Sequence, residues 1–276
     1  MKADLHVHSC YSDGTLTPGE LVSLAVKNKI SDIAVVDHDT FAGISELKEV
    51  FSQAPVNYIE GIEISAFDFK RNRKVHILGY AVQDPVYIEE LCTPLLERRT
   101  ANTLKQVKKI QSVGYEIELE EVIKKAQNAT AVYKQHVMAV LIDKGYETTI
   151  YGPLYQALFK NNGVAEMDIE YIDVFKAIEA VKLGGGLAVV AHPGQLDSYD
   201  LIEELVSFGL DGIEKYHPDH NLKDQRRVQQ LLDKYQLKCF GGSDFHGAYG
   251  PDFFGDCQID NTQEFPEVLR LSSYVN

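Results

Sequence analysis

Residues 5–14 read LHVHSCYSDG, a short apolar run that carries two histidines and leads into a polar loop. Its first four residues are typical of a short buried strand. Because side chains alternate along a strand, His6 and His8 point to the same face and can hold one metal ion together. Asp13 follows five residues after His8 and adds a carboxylate. The stretch therefore predicts a strand whose carboxyl end carries metal ligands.

Apolar runs that end in histidine or a carboxylate recur along the chain, at His38, Glu63, His192, Asp244 and His246. Helical patterns lie between them, and the first begins at Pro18 after Thr17, a good N-cap. Strands that alternate with helices indicate an α/β protein with parallel strands. In a barrel of this kind the carboxyl ends of the strands meet on one face, whereas an open sheet would gather fewer of them. We therefore expect these residues to converge on one face of a barrel.

Two intervals break the alternation. The step from Glu63 to His76 is too short for a helical crossover, which predicts a hairpin with its turn at residues 68–73. His76 would then start an antiparallel strand on the ligand face. The step from Tyr80 to Gly186 is too long for one connection, and its segments have apolar residues at helical spacing. We predict a small helical subdomain at residues 98–168, inserted into a barrel formed by residues 1–97 and 169–276.

Composition limits the class of protein. The chain has 276 residues, of which 45% are hydrophobic, enough for one large domain with a sizeable core. The net charge of −14 argues against a broad basic surface for duplex DNA. We find no apolar run as long as a membrane span and no apolar core of a signal peptide. The cysteines are scattered without a Cys-x-x-Cys pair, which predicts a cytoplasmic protein without disulfides: Cys10, Cys92, Cys239 and Cys257.

The stretch from His6 to Gly14 resembles the first motif of the polymerase-and-histidinol-phosphatase (PHP) family. Four more motifs of that family match in order, DHDT at 37–40, GIEI at 61–64, AHPG at 191–194 and GSDFH at 242–246. The resemblance implies a distorted seven-stranded TIM-like (β/α) barrel with two or three divalent metal ions. Mixed histidine and carboxylate ligands suit manganese, iron or zinc better than calcium.

The resemblance also implies a ligand set for each metal. The first would be bound by His6, His8, Glu63 and Asp244, the second by Glu63, His76 and His192, and the third by Asp13, His38 and His246. Asp13 departs from members that carry histidine at this position. Asp37 is expected to orient His38, and Asp4 to orient His6, each by contacting the ligand rather than the metal.

The insertion and the stretches VHILGY (75–80) and DGIE (211–214) are similar to the stand-alone branch of the family. Members of that branch include phosphatases of nucleoside 3′,5′-bisphosphates and exoribonucleases acting on short RNAs. The branch often has Arg-Pro-His in the insertion, where this chain has Lys134, Gln135 and His136. Lys134 and His136 are thus predicted to bind substrate, Lys134 as a point charge without the bidentate geometry of arginine.

We expect hydrolysis of a phosphomonoester by metal-bound hydroxide, with the metals stabilising charge on the phosphoryl oxygens. The preferred substrate is the 3′-phosphate of a nucleoside 3′,5′-bisphosphate or the end of a short single-stranded RNA. His192 and His217 are candidate catalytic residues, and His217 is also a candidate for contacting substrate or protonating the leaving group. The alternatives are a phosphatase of histidinol phosphate or another small metabolite, and a non-catalytic metal-binding module. The complete ligand motifs weigh against the module.

Overall fold

The computed structural model describes residues 2–251, 253–256, 259–260 and 269, so Cys257 lies outside the described residues. Nine strands are present in this part of the chain: β1 (Lys2–Val7), β2 (Asp32–Val35), β3 (Asn57–Asp68), β4 (Arg73–Tyr80), β5 (Ile172–Asp173), β6 (Leu187–Val190), β7 (Gly212–Tyr216), β8 (Lys238–Gly241) and β9 (Ile259–Asp260). They form one sheet in the order β8-β7-β6-β4-β3-β2-β1-β9, and the short β5 pairs with β3.

The sheet curls into a nearly closed barrel. Neighbouring strands from β1 to β3 and from β6 to β8 are parallel. The seam between β1 and β8 is bridged just beyond the strand ends, where the His8 backbone N–H donates to the Phe245 carbonyl at 2.9 Å. Inside the barrel, Tyr80 stacks on Phe240 with ring centroids 5.1 Å apart, and its hydroxyl donates to the Leu5 carbonyl. The interior is a packed core, which confirms the predicted α/β barrel and leaves its carboxyl-end face for a site.

Helices surround the strands: α1 (Pro18–Lys27), α2 (Ile44–Phe51), α3 (Val86–Ser112), α4 (Leu119–Lys125), α5 (Lys134–Asp143), α6 (Pro153–Phe159), α7 (Val174–Leu183), α8 (Ile202–Val206) and α9 (Leu222–Tyr235). The N-terminus of α1 is capped as its sequence predicts, because Thr17 and Glu20 each accept a hydrogen bond from the other's backbone N–H. Short 3₁₀ turns occupy Tyr199–Leu201 and Gly247–Tyr249. Among the described residues, no helix is both long and apolar enough to cross a membrane.

The predicted hairpin is confirmed. β3 and β4 are antiparallel, with Ser65 opposite His76, and the turn between them is residues 69–72. Asp68 begins the turn by accepting hydrogen bonds from the backbone N–H groups of Lys70 and Arg71. β3 continues five residues beyond Glu63, because its pairing with β4 persists past the barrel rim. The hairpin thus places Glu63 and His76 side by side.

The region between β4 and β5 is helical and has a hydrophobic core of its own. Val107 and Ile110 of α3 pack there with apolar side chains from α4, α5 and α6. The first half of α3 instead packs on the barrel through Ile88, Cys92 and Leu95. One continuous helix of 27 residues therefore joins the two cores. The subdomain boundaries at 98 and 168 stay a prediction, and residue 98 lies inside α3.

Candidate active site

Four side chains from three separate motifs meet at the carboxyl-end face. The Nε2 atoms of His6 and His8 each lie 3.2 Å from Glu63 Oε2 and 3.3 Å from Asp244 Oδ1. His6 and His8 come from β1 and the residue after it, Glu63 from β3, and Asp244 from the turn after β8. All four offer one ligand atom within 4.8 Å of the others, which is the set predicted for the first metal.

A second group lies beside it. Asp13 Oδ1 is 3.3 Å from His246 Nε2 and 3.8 Å from His8 Nδ1, and Asp13 Oδ2 is 4.0 Å from His38 Nε2. Asp13, His38 and His246 were predicted to bind the third metal, and the structure adds His8 to their group. His8 thus faces both groups, one with each ring nitrogen.

Glu63 lies between the remaining histidines. Its Oε1 is 2.8 Å from His76 Nδ1 and 3.0 Å from His192 Nε2, while its Oε2 is 3.3 Å from His38 Nδ1. The third compact group consists of His38, Glu63 and His76, so His38 takes the place in it that the prediction gives to His192. His192 still contacts the carboxylate on the same side as His76. The two oxygens of Glu63 therefore face different histidines, as a bridging ligand requires.

Several of these atoms are buried without a hydrogen-bond partner among the described residues: His6 Nε2, both nitrogens of His8, Asp13 Oδ1, His38 Nδ1 and Glu63 Oε2. A buried polar atom left unsatisfied costs about 1–3 kcal/mol, so a cluster of them on facing side chains needs an explanation. Divalent cations between the nitrogen and carboxylate atoms would satisfy them together. The donor set fits manganese, iron or zinc.

The electrostatics of the cluster also favour bound cations. Burial alone would lower the pKa of His8, yet the carboxylates of Asp244 and Glu63 beside its Nε2 raise it to about 10. His6 also has a pKa well above its ordinary value: burial opposes the rise, and the negative charges of Glu214, Glu63 and Asp244 cause it. The carboxylates therefore favour positive charge at the nitrogens of His6 and His8, whether protons or metal ions supply it.

Glu214, the last residue of the DGIE stretch, contributes to the site although the sequence patterns assign it no role there. It is buried at the centre of β7. His6 Nδ1 lies 3.1 Å from Glu214 Oε1, and the backbone N–H of His192 donates to Glu214 Oε2 at 2.8 Å. The carboxylate thus orients the His6 ring so that Nε2 faces the cluster.

Among the described residues, no hydrogen bond joins Asp4 to the His6 ring or Asp37 to the His38 ring, although Asp4 accepts one from the His6 backbone N–H at 3.4 Å. Asp4 accepts hydrogen bonds from the backbone N–H and hydroxyl of Ser243, and from the backbone N–H of Gly255. Asp37 accepts them from the backbone N–H and hydroxyl of Ser9 and from the Ser12 hydroxyl. Both carboxylates anchor loops: Asp4 fixes the turn that carries Asp244, and Asp37 fixes the loop between His8 and Asp13.

A cavity of about 200 Å³ opens beside the ligand cluster. Its walls come from the barrel and from the helical insertion: Asp13, His38, Ser65, Lys74, His76, Arg99, Asn102, Thr103, Tyr133, Lys134, Gln135, Tyr155, Asp168, Ile169, Tyr171 and Leu196. Lys134, predicted to bind substrate, stands at the first position of α5. Its Nζ has no carboxylate within 4 Å among the described residues, and it lies 5.7 Å from the ring centre of Phe159. Burial, with Lys74 nearby, lowers the pKa of Lys134 to about 8.

The two other cations of the cavity are paired. Arg99 donates to Asp39 at 2.7 Å and to the Ser65 hydroxyl at 2.8 Å, and Lys74 lies 3.0 Å from Asp168. Sequence reasoning missed Arg99, because its partners are distant in the chain and no local motif marks it. Among the described residues that line the cavity, Lys134 is therefore the cation without a carboxylate partner.

His136 and His217 do not line this cavity within the described chain. His136 is buried in the insertion, where its Nδ1 accepts a hydrogen bond from the Tyr133 backbone N–H at the start of α5. His217 Nδ1 accepts from the Asp219 backbone N–H, and its Nε2 lies 3.4 Å from Asp244 Oδ2. The predicted contacts of both histidines with substrate stay predictions.

Comparison with known proteins identifies the family. The PHP domain model matches residues 4–183. The chain is 45% identical over 251 residues to a phosphoribosyl 1,2-cyclic phosphate 1,2-diphosphodiesterase from Eggerthella lenta, covering 91% of this chain and 96% of that protein. It is 26% identical over 276 residues to a 3′,5′-nucleoside bisphosphate phosphatase from Chromobacterium violaceum, covering 97% of this chain and 93% of that protein.

A solved structure agrees with these matches. A protein from Bifidobacterium adolescentis, inferred to be a metal-dependent phosphoesterase, superposes with a TM-score of 0.87 and 26% identity, covering 94% of this chain and 92% of that one. The ligand motifs, the barrel and these relatives agree, and the chain belongs to the PHP family of metal-dependent phosphoric ester hydrolases.

Proposed function

We propose that this enzyme hydrolyses the cyclic phosphodiester of phosphoribosyl 1,2-cyclic phosphate. One small cavity joins the ligand cluster to Lys134, and this is the observation on which the proposal rests. Its 200 Å³ lies below the roughly 300–1,000 Å³ of pockets for drug-sized ligands, so it suits a sugar phosphate. A substrate with a second phosphate could place one at the ligand cluster and the other at Lys134. The relative that is 45% identical is named for such a substrate.

Some residues of the site would bind metal ions, and others hold those ligands in position. We assign one divalent ion to each compact ligand group, three in all, as manganese, iron or zinc. When bound, these ions would supply positive charge for the phosphoryl oxygens and an activated water. His192 supports Glu63 on the side of His76. His217 holds Asp244 through a proton on Nε2, since its Nδ1 accepts from a backbone N–H.

The opposite wall of the cavity selects the substrate. Lys134 offers its ammonium group to the phosphate that does not react. Since no described carboxylate pairs with this ammonium, no ion pair has to break when the phosphate binds. Arg99 is held by Asp39, so it contributes positive potential from a fixed position. We further propose that the enzyme acts in the cytoplasm, in keeping with the free thiols of Cys10 and Cys92.

A second candidate substrate is a nucleoside 3′,5′-bisphosphate. A groove of about 500 Å³ adjoins the cavity and shares Lys74 and Tyr171 with it. Phe69 lies in this groove with 56% of its surface exposed. An exposed aromatic ring can stack on a base, a contact worth about 1–3 kcal/mol per base. The groove therefore favours this candidate over histidinol phosphate.

Initial rates in Mn²⁺ discriminate between the candidates. Phosphoribosyl 1,2-cyclic phosphate, adenosine 3′,5′-bisphosphate and histidinol phosphate would be compared by kcat/KM. We expect the cyclic diester to be preferred at least tenfold, and Phe69→Ala to leave its hydrolysis unchanged. A preference for the bisphosphate that Phe69→Ala removes would establish the second candidate instead. Metal-loaded protein that hydrolyses none of the three would support a non-catalytic module.

A further inference from the structure

The two oxygens of Asp13 have different surroundings. Oδ1 faces His246 at 3.3 Å and has no hydrogen-bond partner among the described residues. Oδ2 accepts a hydrogen bond of 2.7 Å from Gln135 Nε2. Asp13 is only 2% exposed, so water does not replace that contact. One oxygen is thus left for a metal, and the other is bonded to the helical insertion.

Gln135 is itself fixed in position. It is the second residue of α5, and its amide nitrogen carries two hydrogens. One is donated to Asp13 Oδ2 and the other to the Tyr151 hydroxyl at 3.0 Å. Tyr151 precedes α6, so two segments of the insertion determine where this donor lies. Since the amide is neutral, it orients the carboxylate without changing the charge of the cluster.

We infer that Gln135 is a positioning residue that sets the metal affinity of the group formed by His8, Asp13, His38 and His246. A carboxylate turns readily about its terminal bond, and the hydrogen bond to Oδ2 keeps Oδ1 turned toward His246. Hydrogen bonds of this kind behind a metal ligand are typically worth 10- to 100-fold in affinity. The insertion thereby controls the filling of one metal position. The inference rests on the metal centre of the proposed function.

Metal titration of the full-length apo-protein tests this inference. Gln135→Met keeps the length and helix propensity of the side chain but removes the donor, and Gln135→Glu places a carboxylate against Asp13. Gln156→Met makes the same change at an exposed position of α6. Mn²⁺ binding would be followed by calorimetry and by electron paramagnetic resonance. Thermal unfolding of each apo-protein serves as the readout of folding.

We expect one class of Mn²⁺ sites to weaken by about 10- to 100-fold in Gln135→Met and further in Gln135→Glu, with the other classes unchanged. The Gln156→Met protein should match the wild type, and all apo-proteins should unfold at similar temperatures. Unchanged binding in Gln135→Met, beside a wild type that binds Mn²⁺ normally, would overturn the role of Gln135 alone. A wild type that binds no Mn²⁺ would overturn the metal centre and this inference together.

Discussion

Glu63 has one carboxylate oxygen on each side of the histidine cluster. Oε2 faces His6 and His8, whereas Oε1 faces His76 and His192. Residue types and strand spacing predict that such a carboxylate meets histidines, because the carboxyl ends of barrel strands converge. They do not predict which oxygen faces which ring. That depends on the side-chain packing around Glu63, which is 1% exposed.

The hydrogen bonds that hold the site's side chains in position are its least predictable part. Arg99 and its partner Asp39 are 60 residues apart, and Gln135 and Asp13 are 122 residues apart. Local periodicity carries no information about such pairs, because they form only when the insertion packs on the barrel. Asp4 illustrates the same limit: its proximity to His6 in sequence suggests a contact with the ring, yet the carboxylate binds the neighbouring strand's turn.

Glu214→Gln should weaken metal binding at the His6 group by about 10- to 100-fold. The substitution removes the negative charge that makes the His6 ring a stronger ligand, while the side-chain shape is kept. Metal content after dialysis against a weak chelator measures the effect, with Glu203→Gln, at an exposed position of α8, as the control. Equal metal retention in Glu214→Gln and wild type would contradict the role given to Glu214.

The pH dependence of KM should report on Lys134. Its pKa is lowered to about 8, so the ammonium is charged below that pH and is lost above it. KM should therefore rise as the pH passes through about 8, while kcat changes less. In Lys134→Met, KM should be high at every pH, by about 10- to 100-fold for a charged hydrogen bond of about 1.5–3 kcal/mol.

Lys134→Arg keeps its charge throughout this range and should lose the alkaline rise in KM. Lys124→Met, at an exposed position of α4, should behave as the wild type. A Lys134→Met enzyme with the KM and the pH profile of the wild type would remove Lys134 from the substrate site.

At the scale of elements, the sequence predicts the barrel well where the hydrophobic periodicity is simple. It predicts less well where two predicted segments form one continuous helix. The hairpin from β3 to β4 follows from an interval too short for a helix, and it is present. The extent of α3 does not follow, because Pro94 lies within it and the pattern around residue 98 suggests a border. The helix continues because its two halves are buried against two different cores.

The seam between β1 and β8 requires glycine at residue 242. A Cβ atom there would lie 2.4 Å from the backbone nitrogen of His6, closer than packed atoms approach. Gly242→Ala should therefore lower the free energy of unfolding by about 1–3 kcal/mol, as overpacking typically does. It should also reduce metal binding, because His6 would be displaced.

Denaturant unfolding of the apo-protein measures this change. Gly19→Ala is the control, since a Cβ at that position of α1 meets no described atom within 4 Å. We expect it to be neutral or to stabilise by about 0.4–1 kcal/mol. Equal stability of Gly242→Ala and wild type would contradict the close approach of the two strands.

At the scale of the whole molecule, an acidic chain builds a site for anions. The net charge is −14, yet the cavity has cations on one wall and a ligand cluster for divalent ions on the other. The histidine and carboxylate motifs allow this centre to be predicted from sequence. The choice of substrate could not be predicted equally well, because it depends on how the insertion shapes a cavity of about 200 Å³.

Metal binding should stabilise the whole fold. A ligand at 100 times its dissociation constant raises the free energy of unfolding by about 2.7 kcal/mol per site. We expect Mn²⁺ to raise the free energy of unfolding of the wild type by this amount. In Asp244→Ala most of this gain should be lost, and the enzyme should be inactive. His8→Ala should behave in the same way, whereas Asp233→Ala, at an exposed position of α9, should keep both. Near-normal turnover and full metal content in Asp244→Ala would contradict the ligand assignment.

The most direct test of a metal-dependent phosphoesterase is reconstitution of the chelated enzyme. Phosphoribosyl 1,2-cyclic phosphate would be supplied to apo-protein as Mn²⁺ is added back, with bound metal and hydrolysis measured in the same samples. We predict that the apo-protein is inactive and that hydrolysis returns in step with metal bound at the cluster of His6, His8, Glu63 and Asp244. Full hydrolysis by metal-free protein would contradict the account.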